Sequence, residues 1–316
     1  MPTAISLFSG CGGSDAGLTE AGFDVLMAND VLEYARDVYL ANLPQTDFRL
    51  CDVREIKAFP KADLLVGCYP CQGFSQGGSR EADRNINYLY REFDRALRAV
   101  KPKAFIVENV SGMRRADFRH LLHNQLVRFR LAGYAVEHAV LDAKGFGVPQ
   151  DRARLFFVGV RSDLGTRYEF PRPTHRTTAE PVDGRPACPD IRAAIGDLPT
   201  WPLGEFDEQP FHWYYLSRDR RRGWDEQSRT IVANSRHVPL HPTSPRLVRL
   251  GADRWTFEHD GPARRLSYRE ASRLQGFQRG MIFPETCGVR LRYRVVGNAV
   301  PPPVFKAVAT ALPDVW

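Results

Sequence analysis

Over the first 160 residues, short apolar runs alternate with stretches in which apolar side chains recur every three or four positions. That alternation is the pattern of strands interleaved with helices, hence of an α/β layer structure. It predicts strands over 3–8, 24–28, 62–66, 104–107, 134–141 and 155–160. It predicts helices over 16–21, 31–42, 85–100 and 113–131. In the third of these helices Leu89, Phe93, Leu97 and Val100 share one face, and Lys101-Pro102-Lys103 ends it. A short stretch closing at Asp52-Val53 adds a further strand. From Arg161 to about Asp260 the periodicity breaks into short runs of Pro, Arg and aromatic residues. It returns at 267–275, where Ser267 and Glu270 have the spacing of a capping box. A rigid turn is expected over 295–303, before a last helix over 304–311. The expected organisation is a domain over 1–165, completed by 285–316, and a smaller irregular domain with its hinge over 166–284.

Composition adds modest bounds. The 316 residues are 43% hydrophobic and 26% charged, as in ordinary globular proteins. No run approaches the roughly 18 apolar residues of a membrane span. Met1-Pro2-Thr3-Ala4 lacks the features of a signal peptide, so a cytoplasmic, nucleoid-associated protein is expected. Six scattered cysteines argue against a disulfide framework. The net charge of +7 suits a polyanionic partner, and suits an arginine-rich coding bias equally well.

The first predicted strand runs into Ser9-Gly10-Cys11-Gly12-Gly13 and then a helix, the opening of a nucleotide-binding unit. The spacing is not that of a dinucleotide site, which disfavours a Rossmann oxidoreductase. Asp30, ending the second strand, is placed either to accept hydrogen bonds from a ribose or to cap the next helix. The strand over 62–66 stops in a loop rich in turn formers that contains Cys68-Tyr69-Pro70-Cys71. This CxxC is compatible with a redox dithiol, half of a metal site, or one catalytic thiol. Without a second ligand pair and without an immediate helix start, the single nucleophile fits best, and no metal is expected. Glu108 follows another apolar run, at the same rim as Cys71 if the two strands are parallel neighbours. A later arginine pair, Arg152 and Arg154, is available to that nucleophile.

The ordered set Phe8-Ser9-Gly10-Cys11-Gly12-Gly13, Pro70-Cys71-Gln72, Glu108-Asn109-Val110, Gln150-x-Arg152-x-Arg154, Arg273-Leu274-Gln275-Gly276-Phe277 and Gly297-Asn298-Ala299-Val300 resembles the cytosine carbon-5 DNA methyltransferases. The resemblance covers the chain except 161–260, where that family keeps its variable target-recognition region. It implies a Rossmann-like S-adenosylmethionine-dependent methyltransferase sheet with a smaller irregular target-recognition domain. It implies S-adenosyl-L-methionine held by Phe8, Ser9, Gly10, Gly12, Gly13, Asp30, Asp52, Val53, Pro70, Leu89, Asn298 and Val300. Cys71 would be the nucleophile and Glu108 the acid. Arg154 would hold the target base, and Arg152 would fix the cysteine loop. Gln72, Ser75, Gln150, Arg229 and Thr230 would face DNA.

The chemistry explains those residue types. Carbon 5 of cytosine is a poor nucleophile until a thiolate adds to carbon 6. That addition loads charge onto the ring, which an acid at nitrogen 3 and an arginine at the carbonyl relieve. A stacked base cannot present its face to a thiol, so it must be flipped out, with the glycine-rich stretch 75–83 expected to close over it. Three positions depart from the family pattern: Ser6 where an acid is frequent, Tyr69 where proline is common, and Asp30 in place of glutamate. The implied partners are duplex DNA, bound by a monomer, and a cognate restriction endonuclease as a genetic partner. An RNA cytosine methyltransferase and a non-catalytic DNA-binding regulator are the competing readings.

Overall fold

The computed structural model describes residues 1–70, 88–114, 118–177, 180–211, 216, 220–252 and 254–316. Its strands are β1 (Thr3–Leu7), β2 (Asp24–Asp30), β3 (Asp47–Leu50), β4 (Leu64–Gly67), β5 (Ala104–Val110), β6 (Tyr134–Asp142), β7 (Ala153–Arg161), β8 (Leu247–Gly251) and β9 (Arg254–Phe257). The described helices are α1 (Gly13–Glu20), α2 (Glu33–Asn42), α3 (Tyr90–Val100), α4 (Arg119–Leu131), α5 (Ile191–Ile195), α6 (Tyr268–Leu274), α7 (Val289–Asn298) and α8 (Pro302–Thr310).

Seven strands form one sheet in the order β3-β2-β1-β4-β5-β7-β6. The first five are mutually parallel and β7 is antiparallel to both of its neighbours. The sheet reverses direction of growth at β1 and β4, whose carboxyl ends are where open α/β sheets place ligands. β8 and β9 make a separate antiparallel pair.

Side-chain parity explains the layers. Ile5, Leu7, Leu65, Phe105, Val107, Leu155 and Phe157 join Phe93 and Leu97 of α3 and Leu121 and Phe129 of α4 in one buried cluster. Phe156, one step out of phase, instead meets Phe305 of α8, with ring centroids 6.1 Å apart. The Tyr168 hydroxyl donates to the Val308 carbonyl and ties the same helix down.

The chain divides into two compact units: Met1–Asp142 with Ala153–Arg172 and Val304–Trp316, and Ala143–Arg152 with Pro173–Pro303. Residues 143–152 and 285–303 thus group with the smaller unit, where the sequence pattern had put them in the larger. Local hydrogen bonding accounts for this. Gln150, Asp151 and Arg152 bond to the 228–231 segment, and Gln150 and Gln275 link the start of that stretch to 274–299.

Several element bounds also move. Residues 295–298 are the last turn of α7, not a turn before a helix. Arg290, Arg292 and Arg294 alternate along that helix and mask the buried Tyr293, Val295 and Val296. The helix expected from 113 starts at Arg119, after a 3-10 turn over Ser111–Arg114. β3 ends at Leu50, and Asp52 caps a 3-10 turn over Val53–Glu55. The expected capping box is present, with Ser267 and Glu270 bonded reciprocally at the start of α6. No helix among the described residues is long and apolar enough to cross a membrane, and the described cysteines are free thiols.

Candidate active site

β1 delivers the chain into a turn whose backbone is left-handed at Phe8 (φ 60°), Gly10 (φ 53°) and Gly12 (φ 85°). A left-handed phenylalanine is uncommon and costs about 1–3 kcal/mol, a strain found where function constrains the backbone. Glycine at position 12 is required twice over. Its φ disfavours any side chain, and a Cβ there would lie 3.0 Å from the Tyr39 ring and from Leu43. At Gly10 the same construction meets nothing within 4 Å, so the turn is open on that side.

Asp30 closes β2 against this turn. Its Oδ2 accepts from the Gly10 amide at 2.9 Å, and Oδ1 accepts from the amides of Val31 and Leu32 at 2.8 and 3.0 Å. A carboxylate has about four lone-pair positions, so a further donor can still be taken. Burial pushes the Asp30 carboxyl up from its ordinary value, against those three amides. Asp30 is not the helix cap, since α2 starts at Glu33 after Leu32. Asp52 faces elsewhere: its carboxylate is bonded to the Arg54 amide and guanidinium, which hold it down at about 2. Val53 is buried in the core cluster, and Leu89 packs at that cluster's edge.

β4 ends at Gly67, paired with Val107 of β5, so Cys68 and Glu108 lie one step further at the same rim. Cys68 sits beside Glu108 at this rim, and Ser14 and the Glu108 backbone weigh toward its thiolate. Burial pushes the Cys68 thiol well above its usual range, and the negative charges of Glu108 and Asp15 add to that. Tyr69 is buried, with its ring edge-on to Phe8 at 6.0 Å. Its hydroxyl bonds Gln125, and its carbonyl accepts weakly from Asn109 at 3.4 Å. Pro70 is half-buried, and Cys71, Gln72 and Ser75 lie outside the described residues, as does the stretch 75–83.

On the antiparallel neighbour β7, Arg154 stands opposite Val110. Its Nε lies 3.0 Å from Glu108 Oε1, and both side chains are largely buried, at 17% and 11% exposure. Burial lowers the Arg154 guanidinium and the Glu108 carboxylate opposes that. The pair therefore sets a carboxyl and a guanidinium side by side just beyond the strand that leads to Cys71. Such a pair can donate to, and stabilise charge on, a planar heterocycle.

The second unit contains the other expected residues. Arg152 is 3% exposed and donates to the carbonyls of Ile231, Gly297 and Ala299 at 2.9–3.0 Å. Gln150, expected at DNA, is fully buried. Its amide nitrogen donates to the Leu274 carbonyl and to Gln275, and its oxygen accepts from the Ile231 amide. That position braces the 231 segment and leaves the side chain no free surface. The Thr230 hydroxyl is likewise spent on the Asp151 carbonyl, and Arg229 is half-buried beside it. Asn298 is exposed at the end of α7, and Val300 is buried. Sequence reasoning missed the buried Asp15–Tyr39 hydrogen bond under the glycine turn and the fully buried Arg264, bidentate on Glu270 at 2.7–2.8 Å. An acid in a first helical turn is the only sign the sequence offers of the former.

A mainly parallel seven-stranded sheet with a strained glycine turn after β1 and an acid after β2 defines a Rossmann-like transferase of the S-adenosylmethionine-dependent methyltransferase class. Residues 3–314 match the family model for C-5 cytosine-specific DNA methylases. The type II methyltransferase M.BsuRI of Bacillus subtilis is 36% identical, over 98% of this chain and 78% of that protein. M.MthTI of Methanothermobacter thermautotrophicus is 35% identical, over 94% of this chain and 92% of that one. The solved structure of the Schizosaccharomyces pombe Dnmt2 methyltransferase shares the fold, with a TM-score of 0.66 at 17% identity over 98% of both chains. The chain belongs to the C-5 cytosine-specific DNA methylases. Its activity is that of a DNA (cytosine-5-)-methyltransferase, a family that uses S-adenosylmethionine.

Proposed function

We propose that this enzyme methylates carbon 5 of a cytosine flipped out of a specific duplex DNA sequence, through a transient bond between Cys71 and carbon 6. The observation that carries this reading is the buried Glu108–Arg154 pair, 3.0 Å apart at the rim where β4 leads to Cys71. The Cys71 thiolate adds to carbon 6, breaking the 5,6 double bond, and its electron pair moves into the ring. Glu108, ionised beside Arg154 at rest and protonated once the base has separated the two, donates to ring nitrogen 3, and Arg154 donates to the ring carbonyl, so both relieve the added charge. Glu108 and Arg154 are neighbours in the resting pair, so the incoming base separates them and takes the place of each partner. Carbon 5 can then take the cofactor's methyl group as the methyl–sulfur bond breaks, after which loss of the carbon-5 proton, departure of Cys71 and return of the nitrogen-3 proton to Glu108 restore the ring.

The cofactor site fits the chain's own residues. The open side of Gly10, the free lone-pair capacity of Asp30 and the edge of Phe8 support a nucleoside there. S-adenosylmethionine, when bound, supplies the electrophilic methyl group. Ser9, Gly12 and Gly13 shape the turn, while Pro70, Val53 and Leu89 contribute apolar wall. Asp52 is assigned to the rim, since Arg54 holds its carboxylate. Asn298 and Val300 are assigned to the cofactor on sequence resemblance, as are Gln72, Ser75, Arg229 and Thr230 to DNA. Arg152 acts by fixing the 231 and 297–299 backbone. Action as a monomer, in a restriction–modification pair in the cytoplasm, completes the reading.

Incubation with S-adenosylmethionine and duplex DNA containing 5-fluorocytosine should trap the enzyme covalently, because the fluorine cannot leave as a proton does. Cys71→Ser should give no adduct while still binding cofactor. An active wild-type preparation that forms no adduct overturns the mechanism. Faster transfer to tRNA than to duplex DNA would overturn the substrate.

A further inference from the structure

Beneath the glycine turn lies a titratable group that the reaction does not use. Asp15, in the first turn of α1, is completely buried. Its Oδ1 accepts from the Ser6 hydroxyl at 2.6 Å and the Ser14 hydroxyl at 2.9 Å, and its Oδ2 accepts from the Tyr39 hydroxyl at 2.8 Å. Ser9 Oγ lies 3.0 Å from both the hydroxyl and the carbonyl of Ser6, and accepts from the Asn29 amide at 3.2 Å. One carboxylate thus links β1, the turn, α1, α2 and, through Ser9, the end of β2. Among the described residues no cation forms an ion pair with it.

A buried carboxylate without a cation is expensive to keep, and an apolar residue would pack the same space at lower cost. Burial does push the Asp15 carboxyl up, while its hydroxyl donors oppose that shift. What the carboxylate provides that an apolar residue cannot is fixed spacing. Ser6 is the last residue but one of β1, Ser9 starts the turn, and Ser14 follows it. The Tyr39 ring that bonds Asp15 is also the one that sits 3.0 Å from a would-be Cβ of Gly12. The turn is therefore held from inside at both ends and underneath.

We infer that Asp15 is a positioning residue for the cofactor: it sets the shape of the Phe8–Gly13 turn through Ser6, Ser9, Ser14 and Tyr39 without touching the ligand. This rests on the reading that the turn holds S-adenosylmethionine. Asp15→Ala removes every acceptor, whereas Asp15→Asn keeps Oδ1 for Ser6 and Ser14 and turns an NH2 toward Tyr39, whose oxygen can accept.

The test is calorimetric binding of S-adenosylmethionine to the full chain, alongside thermal denaturation and steady-state kinetics. Asp15→Ala should weaken the cofactor Kd by about tenfold or more, with all three hydrogen bonds gone, and Asp15→Asn by roughly threefold, since its three bonds remain but lose the carboxylate's charge and reverse direction at Tyr39. KM for the cofactor should rise in step, with kcat at saturation and KM for DNA within about twofold of wild type. A merely structural role would lower the melting temperature and the folded fraction but leave Kd per folded molecule unchanged, and that result overturns the inference. If Asp15→Ala does not fold, Asp15→Asn and Ser6→Ala decide, and wild-type Kd in both overturns it. Failure of the wild-type chain to bind S-adenosylmethionine would instead overturn the assignment of the turn.

Discussion

Gly297→Ala isolates one close approach inside the second unit. A Cβ on residue 297 would lie 2.3 Å from the Ala233 amide nitrogen and the Val232 carbonyl carbon, and 2.5 Å from the Val232 oxygen. Carbon does not approach those atoms closer than 3.0 Å, and all three belong to backbone, so the 232–233 segment or α7 must move. Overpacking of this kind costs about 1–3 kcal/mol. The movement also strains the bonds by which Arg152 holds Ile231, Gly297 and Ala299, worth roughly 1–3 kcal/mol if one is lost. Opposing this, alanine gains about 1 kcal/mol over glycine in a helix. The net is a loss of roughly 1–5 kcal/mol, or a melting temperature lower by roughly 2–8 °C at this size. Differential scanning calorimetry with and without cofactor reads the shift. An unchanged or raised melting temperature would show that helix propensity dominates and that the 232–297 contact is not tight.

Three further outcomes follow from the site. Glu108→Gln should slow single-turnover methyl transfer by roughly 10²–10⁴-fold while DNA binding persists, and because it leaves Arg154 buried opposite a neutral amide it should also destabilise the chain; an unchanged single-turnover rate refutes the acid role. His241, held at about 3 by burial and the Arg264 charge, stays neutral when folded even though Glu270 lies 3.5 Å away, because Arg264 already neutralises that carboxylate. Its folded value is lowered, so the unfolded chain takes up the extra proton and stability falls as pH drops from about 6.5 toward 3, by at most about 1.4 kcal/mol per pH unit. Chemical denaturation of wild type and His241→Gln at pH 7 and 5 should show a smaller loss in the variant, and equal losses refute the assignment. Asp52→Asn, which removes only a partly exposed pair with Arg54, should change stability by less than about 1 kcal/mol; a larger loss in a denaturant titration would contradict that.

The α/β order was legible because β1, β2, β4 and β5 are continuous apolar runs bounded by turn formers. Glu108 was placed at its rim by the same logic, since four apolar residues immediately precede it. What could not be read is pairing over distance. Nothing local says that Arg154 meets Glu108, because their contact depends on β7 running antiparallel to β5. Gln150 was assigned to DNA from the resemblance alone; only the fold reveals Gln275 and Ile231 on either side of its amide. α7 was hidden by its arginines at alternate positions, which mimic a strand period. The 143–152 stretch was assigned with its sequence neighbours, although Gln150 and Arg152 bond to Ile231, more than 70 residues away.

The order in which the first unit acquires its parts differs from the order of its strands. All seven strands are complete by Arg161, yet Phe305 and Val308, which cover Phe156 and receive the Tyr168 hydroxyl, come almost 150 residues later. At ribosomal rates of about 5–20 residues per second, that face of the sheet stays bare for roughly 7–30 s during synthesis. The nascent sheet is thus most exposed to aggregation while the second unit is being made, and a chaperone that shields the Phe156 face would act in that interval.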